Sequence, residues 1–391
     1  MISVFLFSAL VSLVQAVKGR ISQPLWTLQK SPLHLQLSRP LHIFKRDDKY
    51  RGLVSDECIP ANEDFLAIPL SSCFVQIHNE RWPLQLAAKL KKEMELTKSK
   101  WDAYFRLLPS QRELQDSLPH HWSESELKIF QSDVENDEHF LYDSQFILNT
   151  ICDAKKIRKS LDDATIYALD LVQTRNLGYQ GITFYYHIIA VGLDLCNHSD
   201  SVNSAFRVDE TKQTLHLRYI GTGLRAGSEV CLNYRFDSQE SCFTSYGFVP
   251  SEVKKHALLL PRAITNKILL QSIHGEPEAM EILESRGLSI TSPFEITREI
   301  IINEESPLHF VLRILTSSRC EIMTYHEAQA STTDIIGDRR RANTLLRTIL
   351  EEKVCAMRYL LSKEGHDGVE HSTRALAARN KLLQNNLHFL E

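Results

Sequence analysis

The sequence predicts an α+β protein whose helices and strands are grouped along the chain rather than alternating. Two strand-rich stretches, residues 51–69 and about 182–249, flank a helical region between about residues 83 and 165. Helical periodicity returns after Pro250 and continues towards the C-terminus. The predicted order is therefore strands, a helical insertion, strands and an all-α lobe, and the 391 residues suffice for two domains.

The two strand-rich stretches carry the patterns of short β-strands. Residues 51–54 and 65–69 have the pattern of two short strands, and the polar residues 60–64 between them predict a turn. Apolar and polar residues alternate in 215–219 and again in 230–234, as in strands with one buried face.

Helical patterns occupy the insertion and the C-terminal lobe. In the insertion, apolar spacing predicts one helix at Leu84, Leu86, Ala87 and Leu90. Ser123 and Glu126 have the spacing of a capping box, so a second helix is expected to begin there. In the lobe, residues at three- and four-residue spacing predict a long amphipathic helix: Leu346, Ile349, Leu350, Val354, Met357 and Leu361.

The composition limits the classes of partner. Apolar residues make up 43% and charged residues 24% of the chain, as in globular proteins, and the formal net charge is −4. Nucleic-acid binders usually present a strongly basic face, so we expect no nucleic-acid partner. None of the eight cysteines forms a C-x-x-C motif or a zinc-type Cys/His spacing, so we expect reduced thiols and no metal.

The first 46 residues have the composition of a targeting segment. Residues 1–17 carry no charge, residues 4–14 form an apolar run, and residues 14–16 resemble a small-residue cleavage site. Residues 17–46 contain no Asp or Glu. This pattern resembles a two-part presequence for import into a plastid. Two alternatives explain it equally well: a plain secretory signal, or a start codon misassigned upstream of a cytoplasmic protein. The apolar run is too short to predict a stable membrane span in the mature protein.

A polar Asn197-His198 pair follows the apolar run 187–193. Burying an unpaired amide or imidazole costs about 1–3 kcal/mol, so both side chains need partners. By itself the pair is typical of a hydrogen-bonded core histidine or a turn. Residues 197–199 also form the only N-glycosylation triplet of the chain, which predicts a glycan at Asn197 if the protein enters a secretory lumen.

The glycine-rich residues 221–227 superficially resemble a nucleotide-binding loop. Such a loop must open onto a helix whose N-terminus meets the phosphate. Residues 228–232 instead continue as a strand, so we interpret 221–227 as a tight connection between strands. Tyr234 ends the following strand, just before a polar stretch, and Tyr246-Gly247 comes after that stretch.

Taken in order, these motifs resemble those of the SET methyltransferases. The motifs are Gly52-Leu53, Arg175, residues 194–199, residues 226–234 and residues 246–249. The resemblance is to the group that contains Rubisco large-subunit lysine methyltransferase and actin histidine methyltransferase. It runs from about residue 51 to the C-terminus and includes the helical insertion.

The resemblance implies a SET fold of small curved β-sheets with a threaded, pseudoknot-like segment. It divides the chain into a SET domain, residues 47–250, and a helical substrate-binding lobe, residues 251–391. It implies S-adenosylmethionine as methyl donor, without a metal, and Tyr234 as the catalytic hydroxyl. The implied donor-binding residues are Gly52, Leu53, Arg175, Asp194, Leu195, Cys196, Asn197, His198, Tyr246, Gly247 and Phe248.

The implied reaction is methyl transfer to a lysine, with histidine as second choice, of a non-histone protein held by the lobe, and we expect a monomer. Two features depart from the family pattern. Arg235 follows the tyrosine where a glycine is common, and Gln239-Glu240 stands where an asparagine is expected. An alternative function is therefore a SET-like protein-binding module with weak catalysis, and a third is a secreted glycoprotein modified at Asn197.

Overall fold

A computed structural model describes residues 21–24, 33–45, 51–135, 143–199, 201–236, 238–250, 256–258, 277–287, 294–296, 307–317, 339–362 and 373–390. The chain divides into two compact units. The sheet unit comprises the described residues within 1–117 and 157–235, and the helical unit those within 118–156 and 236–391.

The strands are β1 Ile21–Pro24, β2 Gln36–Leu37, β3 Leu41–Lys45, β4 Arg51–Ser55, β5 Asp64–Pro69, β6 Cys73–Ile77, β7 Leu177–Gln180, β8 Tyr185–Ala190, β9 Asn197–His198, β10 Ser204–Asp209, β11 Thr214–Tyr219, β12 Glu229–Leu232, β13 His256–Leu258 and β14 Phe294–Ile296. The α-helices are α1 Trp82–Met94, α2 Asp102–Phe105, α3 Gln111–Ser117, α4 Glu124–Glu135, α5 Ser144–Arg158, α6 Asp163–Arg175, α7 Gln239–Tyr246, α8 Pro277–Ser285, α9 Pro307–Thr316, α10 Arg339–Ser362 and α11 Thr373–Leu390.

Within its described residues, the sheet unit contains three small sheets, in the strand orders β1-β3-β4-β12-β9, β10-β11-β5-β2 and β6-β8-β7. Most neighbouring strands are antiparallel, but β12 and β9 pair in parallel, with Cys231 beside Asn197 and Leu232 beside His198. This pairing brings the Asn-His motif next to the strand that leads to Tyr234. The α+β class predicted from the sequence is confirmed.

Part of the basic N-terminal stretch belongs to the sheets. β2 pairs with β5, and β3 pairs with β4 along its whole length. Leu33, Leu35, Leu41 and Ile43 are buried, at alternating positions expected of strands with one apolar face. Residues 33–45 of the predicted targeting segment are thus part of the folded unit, whereas residues 1–20 lie outside the described residues.

The helices of the insertion begin where the sequence provides caps. The backbone N–H of Ser123 donates to Glu126, and the N–H of Glu126 donates back to the serine hydroxyl, so the predicted capping box is confirmed. Asp162 caps α6 by accepting from the backbone N–H of Thr165. Helix α1 buries Leu86, Ala87 and Leu90 as the sequence predicts, whereas Leu84, predicted for the same face, is exposed.

The helical unit is built around an apolar cluster that joins α4 and α5 to α7, α10 and α11, with Phe130, Phe243, Met357 and Leu382 among its members. The predicted stripe of α10 is confirmed where Leu346, Ile349 and Met357 are buried. No helix in the described part of the chain is long and apolar enough to span a membrane.

Residues 238–247 differ from the expected strand-rich stretch, because they contain the helix α7. The hydroxyl of Ser238 accepts from the backbone N–H of Ser241 at the start, and Gly247 ends the helix in a left-handed conformation. The connection at 221–227 is as predicted, because it leads into strand β12 rather than into a helix.

Candidate functional site

Asn197 is held in place by its side-chain amide. The Nδ2 group donates to the backbone carbonyl of Arg51 at 2.6 Å and to Oε1 of Glu229 at 2.7 Å. A Cβ at Gly52 would lie 2.2 Å from that glutamate oxygen and 3.0 Å from Nδ2 of Asn197. Glycine at 52 therefore permits the amide and the carboxylate to approach the β4 backbone.

The same contacts bear on the glycosylation alternative. A glycan on Nδ2 of Asn197 would replace a hydrogen that bonds to Arg51 or Glu229, and would have to fit beside Gly52, where a Cβ already clashes. The folded chain is thus incompatible with a glycan at this position.

Tyr234 lies beside the Asn-His motif. Its hydroxyl donates to the backbone carbonyl of Cys196 at 2.8 Å, and its backbone N–H donates to Nδ1 of His198 at 3.3 Å. The two rings are 5.4 Å apart between centroids. Burial raises the pKa of the Cys196 thiol well above its ordinary value, so the thiol stays neutral and does not act as a nucleophile.

Arg175 and Asp194 form a buried ion pair. Nη1 of Arg175 donates to Oδ2 of Asp194 at 3.1 Å and to its backbone carbonyl at 2.9 Å. Burial raises the pKa of Asp194, and the guanidinium opposes that rise. Burial, the largest single influence, lowers the pKa of Arg175, but Asp194 together with Tyr104 and Tyr234 outweighs it, so the pKa stays above its ordinary value and Arg175 is charged.

Two residues of this network are not among the predicted site residues, although Glu229 lies within the motif 226–234. Tyr104, in helix α2, donates its hydroxyl to Oδ2 of Asp194 at 2.7 Å. Glu229 accepts from Asn197. The predicted donor-binding residues Leu53 and Leu195 have buried side chains, so their side chains contribute to the core.

Arg235, the departure beside Tyr234, has a positive φ of 54°. Glycine adopts this left-handed region without strain, and other residues do so at a cost. The backbone N–H of Arg235 donates to Oδ1 of Asn233 at 2.7 Å, which supports the turn. The turn therefore has the kind of backbone conformation that favours the glycine common in the family.

The remaining predicted site residues, Tyr246, Gly247 and Phe248, lie in the helical unit at the end of α7. Burial raises the pKa of Tyr246 to about 12, and Gly247 has a φ of 77°. Gln239, near the expected asparagine, is buried and accepts from Nδ2 of Asn385 at 3.3 Å. Gln239 thus serves packing within the helical unit.

Comparison with solved structures identifies the fold. A structure of Rubisco LSMT bound to sinefungin and monomethyllysine matches 96% of this chain over 89% of its own length, with a TM-score of 0.55 and 18% identity. The SET domain of LSMT bound to lysine and AdoHcy matches 97% of this chain over 91% of its length, with a TM-score of 0.50 and 18% identity. The chain has the SET fold. No protein-family model and no curated protein matches the sequence.

In the sheet unit, Arg175 offers a hydrogen-bond donor that suits the carboxylate of S-adenosylmethionine. Its Nε is buried and makes no hydrogen bond within the described residues. A buried donor without a partner is costly, and an anionic oxygen would satisfy it. This buried hydrogen-bond donor therefore fits the carboxylate at the amino-acid end of S-adenosylmethionine.

Proposed function

We propose that this chain is an S-adenosylmethionine-dependent protein methyltransferase that modifies a lysine side chain of a non-histone protein. The observation that carries the proposal is the hydrogen bond from Tyr234 to the Cys196 carbonyl, beside the Asn197-His198 pair, in a SET fold. The similar Rubisco LSMT structures hold AdoMet, AdoHcy or lysine ligands, which supports the proposal by analogy.

We assign the donor-binding residues of the sheet unit to separate parts of the ligand. Arg175 pairs with the carboxylate, while Asn197 and His198 hold the adenine and amino-acid ends. Gly52 allows the β4 backbone to approach Asn197 closely. Bound S-adenosylmethionine supplies a methyl group activated by a positively charged sulfur.

Tyr234 orients the reacting groups. Because the hydroxyl donates its hydrogen to the Cys196 carbonyl, its oxygen acts as an acceptor, and we assign to it weak C–H···O contacts from the methyl group. Holding donor and acceptor in line contributes up to about 7–11 kcal/mol in favourable cases, so the residue acts by alignment.

A lysine acceptor has to lose its proton before it reacts. The ordinary pKa of its amine is about 10.4, and transfer from water to an apolar channel beside a positive charge lowers it. No dedicated base is then required. A histidine ring nitrogen, the second choice of acceptor, is already neutral at pH 7.

The test is transfer of tritiated methyl to proteins of a heat-treated whole-cell lysate, comparing wild type with Tyr234→Phe. We expect the variant to lose about 100-fold in rate, as when one aligned hydroxyl or oxyanion donor is removed from an active site. Tyr167→Phe is the matched control, because Tyr167 donates to the Pro109 carbonyl at the same 2.8 Å, and it should retain the wild-type rate.

The acceptor is identified by mass spectrometry of the labelled peptides. Methyllysine supports the proposal, and methylhistidine changes only the acceptor. If wild type and Tyr234→Phe label proteins equally while both bind S-adenosylhomocysteine, the alternative of a binding module without efficient catalysis is correct. Docking of the protein substrate by the helices after residue 250, a monomeric state and independence from metals remain parts of the proposal.

A further inference from the structure

Glu229 extends from strand β12 to the candidate site. Its Oε1 accepts from Nδ2 of Asn197 at 2.7 Å, and the same Nδ2 donates to the Arg51 carbonyl at 2.6 Å. An amide nitrogen carries two hydrogens, so both hydrogens of Asn197 are bound by acceptors of the chain itself. Among the described residues, the side chain of Asn197 makes no further hydrogen bond.

These two partners fix the orientation of the amide. A carbonyl and a carboxylate have no hydrogen to donate, so the opposite orientation would place Oδ1 of Asn197 against two oxygens. Oδ1 is therefore the polar atom of this side chain that remains to bind a ligand. Because an amide oxygen is only an acceptor, it binds a hydrogen-bond donor and repels a carboxylate.

The backbone of Glu229 is held by a second asparagine. Nδ2 of Asn203 donates to the Glu229 carbonyl at 2.9 Å, and Oδ1 of Asn203 accepts from the backbone N–H of Cys231 at 2.9 Å. One amide thus binds β12 on both sides of Val230 and fixes the strand from which the carboxylate extends. On strand β4, a Cβ at residue 52 would lie 2.2 Å from Oε1, so the glycine there leaves room for the carboxylate.

We infer that Glu229 is a positioning residue for binding of the methyl donor. Its carboxylate holds Nδ2 of Asn197 and thereby presents Oδ1 to the ammonium of S-adenosylmethionine, a charged group that forms strong hydrogen bonds. Arg175 is assigned to the carboxylate of the same amino-acid end, so an acceptor and a cation recognise its two opposite charges. The inference rests on the proposed function and adds to it a residue that acts through Asn197.

The test uses two ligands that differ only in the amino group. S-adenosylhomocysteine carries the ammonium, whereas in its deaminated analogue a hydrogen replaces the amino group and the carboxylate is kept. By calorimetry, we expect Glu229→Ala to bind S-adenosylhomocysteine about tenfold more weakly, because the amide of Asn197 can then rotate and the ammonium loses its fixed acceptor. Binding of the deaminated analogue should be unchanged.

Two further variants separate positioning from charge. Glu229→Gln keeps an acceptor oxygen without the negative charge, so it should bind S-adenosylhomocysteine as wild type does. A loss as large as that of Glu229→Ala would mean that the residue attracts the ammonium by its charge, and would contradict the inference. Glu210→Ala is the matched control, because it also removes a carboxylate of the sheet unit that accepts hydrogen bonds, from Tyr179 and from the backbone N–H of Ile182. It should bind both ligands as wild type does.

A double variant and kinetics provide further measurements. In an Asn197→Ala background, Glu229→Ala should cause no further loss of affinity, because its effect passes through Asn197. In the wild-type background, Glu229→Ala should raise KM for S-adenosylmethionine about tenfold with kcat unchanged. The hydrogen bonds of Tyr234 to the Cys196 carbonyl and to His198 do not involve Glu229, so the alignment of the transferred group is retained.

Other results would overturn the inference. One is equal weakening of both ligands by Glu229→Ala, which indicates general damage to the fold, and another is a full additional loss in the Asn197→Ala background. A wild type that binds S-adenosylhomocysteine, together with an unaffected Glu229→Ala variant, rejects the inference alone. A wild type that binds neither ligand rejects the proposed function as well.

Discussion

In the part of the chain that the structure describes, two tyrosines are followed by a residue in the left-handed backbone region, and the two turns are built differently. After Tyr246, Gly247 has a φ of 77° and ends helix α7 by donating its N–H to the Phe243 carbonyl. After Tyr234, Arg235 has a φ of 54° and depends on the side chain of Asn233.

The difference shows where the chain carries backbone strain. Glycine adopts the left-handed region freely, whereas a residue with a Cβ loses about 1–2 kcal/mol there. Gly247 therefore ends its helix without cost, while Arg235 is strained directly beside the candidate catalytic hydroxyl. Such strain concentrates at functional sites and is retained where other contacts impose it.

The largest expected effect on stability comes from Gly247→Ala. A Cβ at a φ of 77° should destabilise the chain by about 1–2 kcal/mol, measured as the change in urea unfolding. Arg235→Ala serves as the control, because that position already carries a Cβ, and it should change stability by less than about 0.5 kcal/mol. Similar losses in both variants would contradict the comparison.

The next effect is that of Asn233→Ala, which removes the side-chain acceptor for the N–H of Arg235. We expect a loss of about 1 kcal/mol, the usual net value of one hydrogen bond. In an Arg235→Gly background, the same substitution should cost much less, because glycine does not need the support. An unchanged cost in that background would show that Asn233 acts elsewhere.

Tyr246 also makes the stability of the chain sensitive to alkaline pH. The pKa of Tyr246 is raised by burial to about 12, above the ordinary value near 10. Its neutral form therefore contributes stability that is complete below pH 10 and is lost as the pH rises from 10 towards 12. In unfolding measurements between pH 8 and 11, Tyr246→Phe should lose stability less steeply than wild type, and parallel curves would refute the assignment.

The smallest expected effect is that of Arg235→Gly. Relief of the strained φ stabilises the folded chain, but the greater freedom of glycine in the unfolded chain offsets about half of it. A net gain of about 0.5 kcal/mol is expected, with methyl transfer at least at the wild-type rate. Lost transfer with intact stability would indicate that the Arg235 side chain itself takes part in the reaction.

Much of the site was predictable because its motifs are local. Asn197-His198 follows the buried strand β8, as predicted, whereas β12 ends at Leu232, so Tyr234 lies two residues beyond the strand that it was predicted to end. The sequence still placed both motifs close to strand ends, although it did not show the parallel pairing of β9 and β12. The prediction that residues 221–227 do not form a nucleotide-binding loop also depended on local sequence, because a strand follows them directly.

Other features escaped sequence reasoning for identifiable reasons. Helix α7 is only eight residues long, and in the sequence its start and stop signals, Ser238 and Gly247, have the pattern of a polar stretch and a turn. Strand β3 lies in a basic stretch, where the charge pattern concealed the alternation of Leu41 and Ile43. Tyr104 is 90 positions from Asp194, so no motif connects them.

The bond between Asn197 and the Arg51 carbonyl joins residues 146 positions apart. During synthesis β4 leaves the ribosome long before β9 and β12, so the edge that β12 later covers remains open while most of the sheet unit is still being made. Closing so long a loop is slow, because its entropy is lost before the contacts form. The nascent chain therefore exposes this edge of β4 to edge-to-edge aggregation until β12 is made, and a chaperone that covers strand edges should improve its yield.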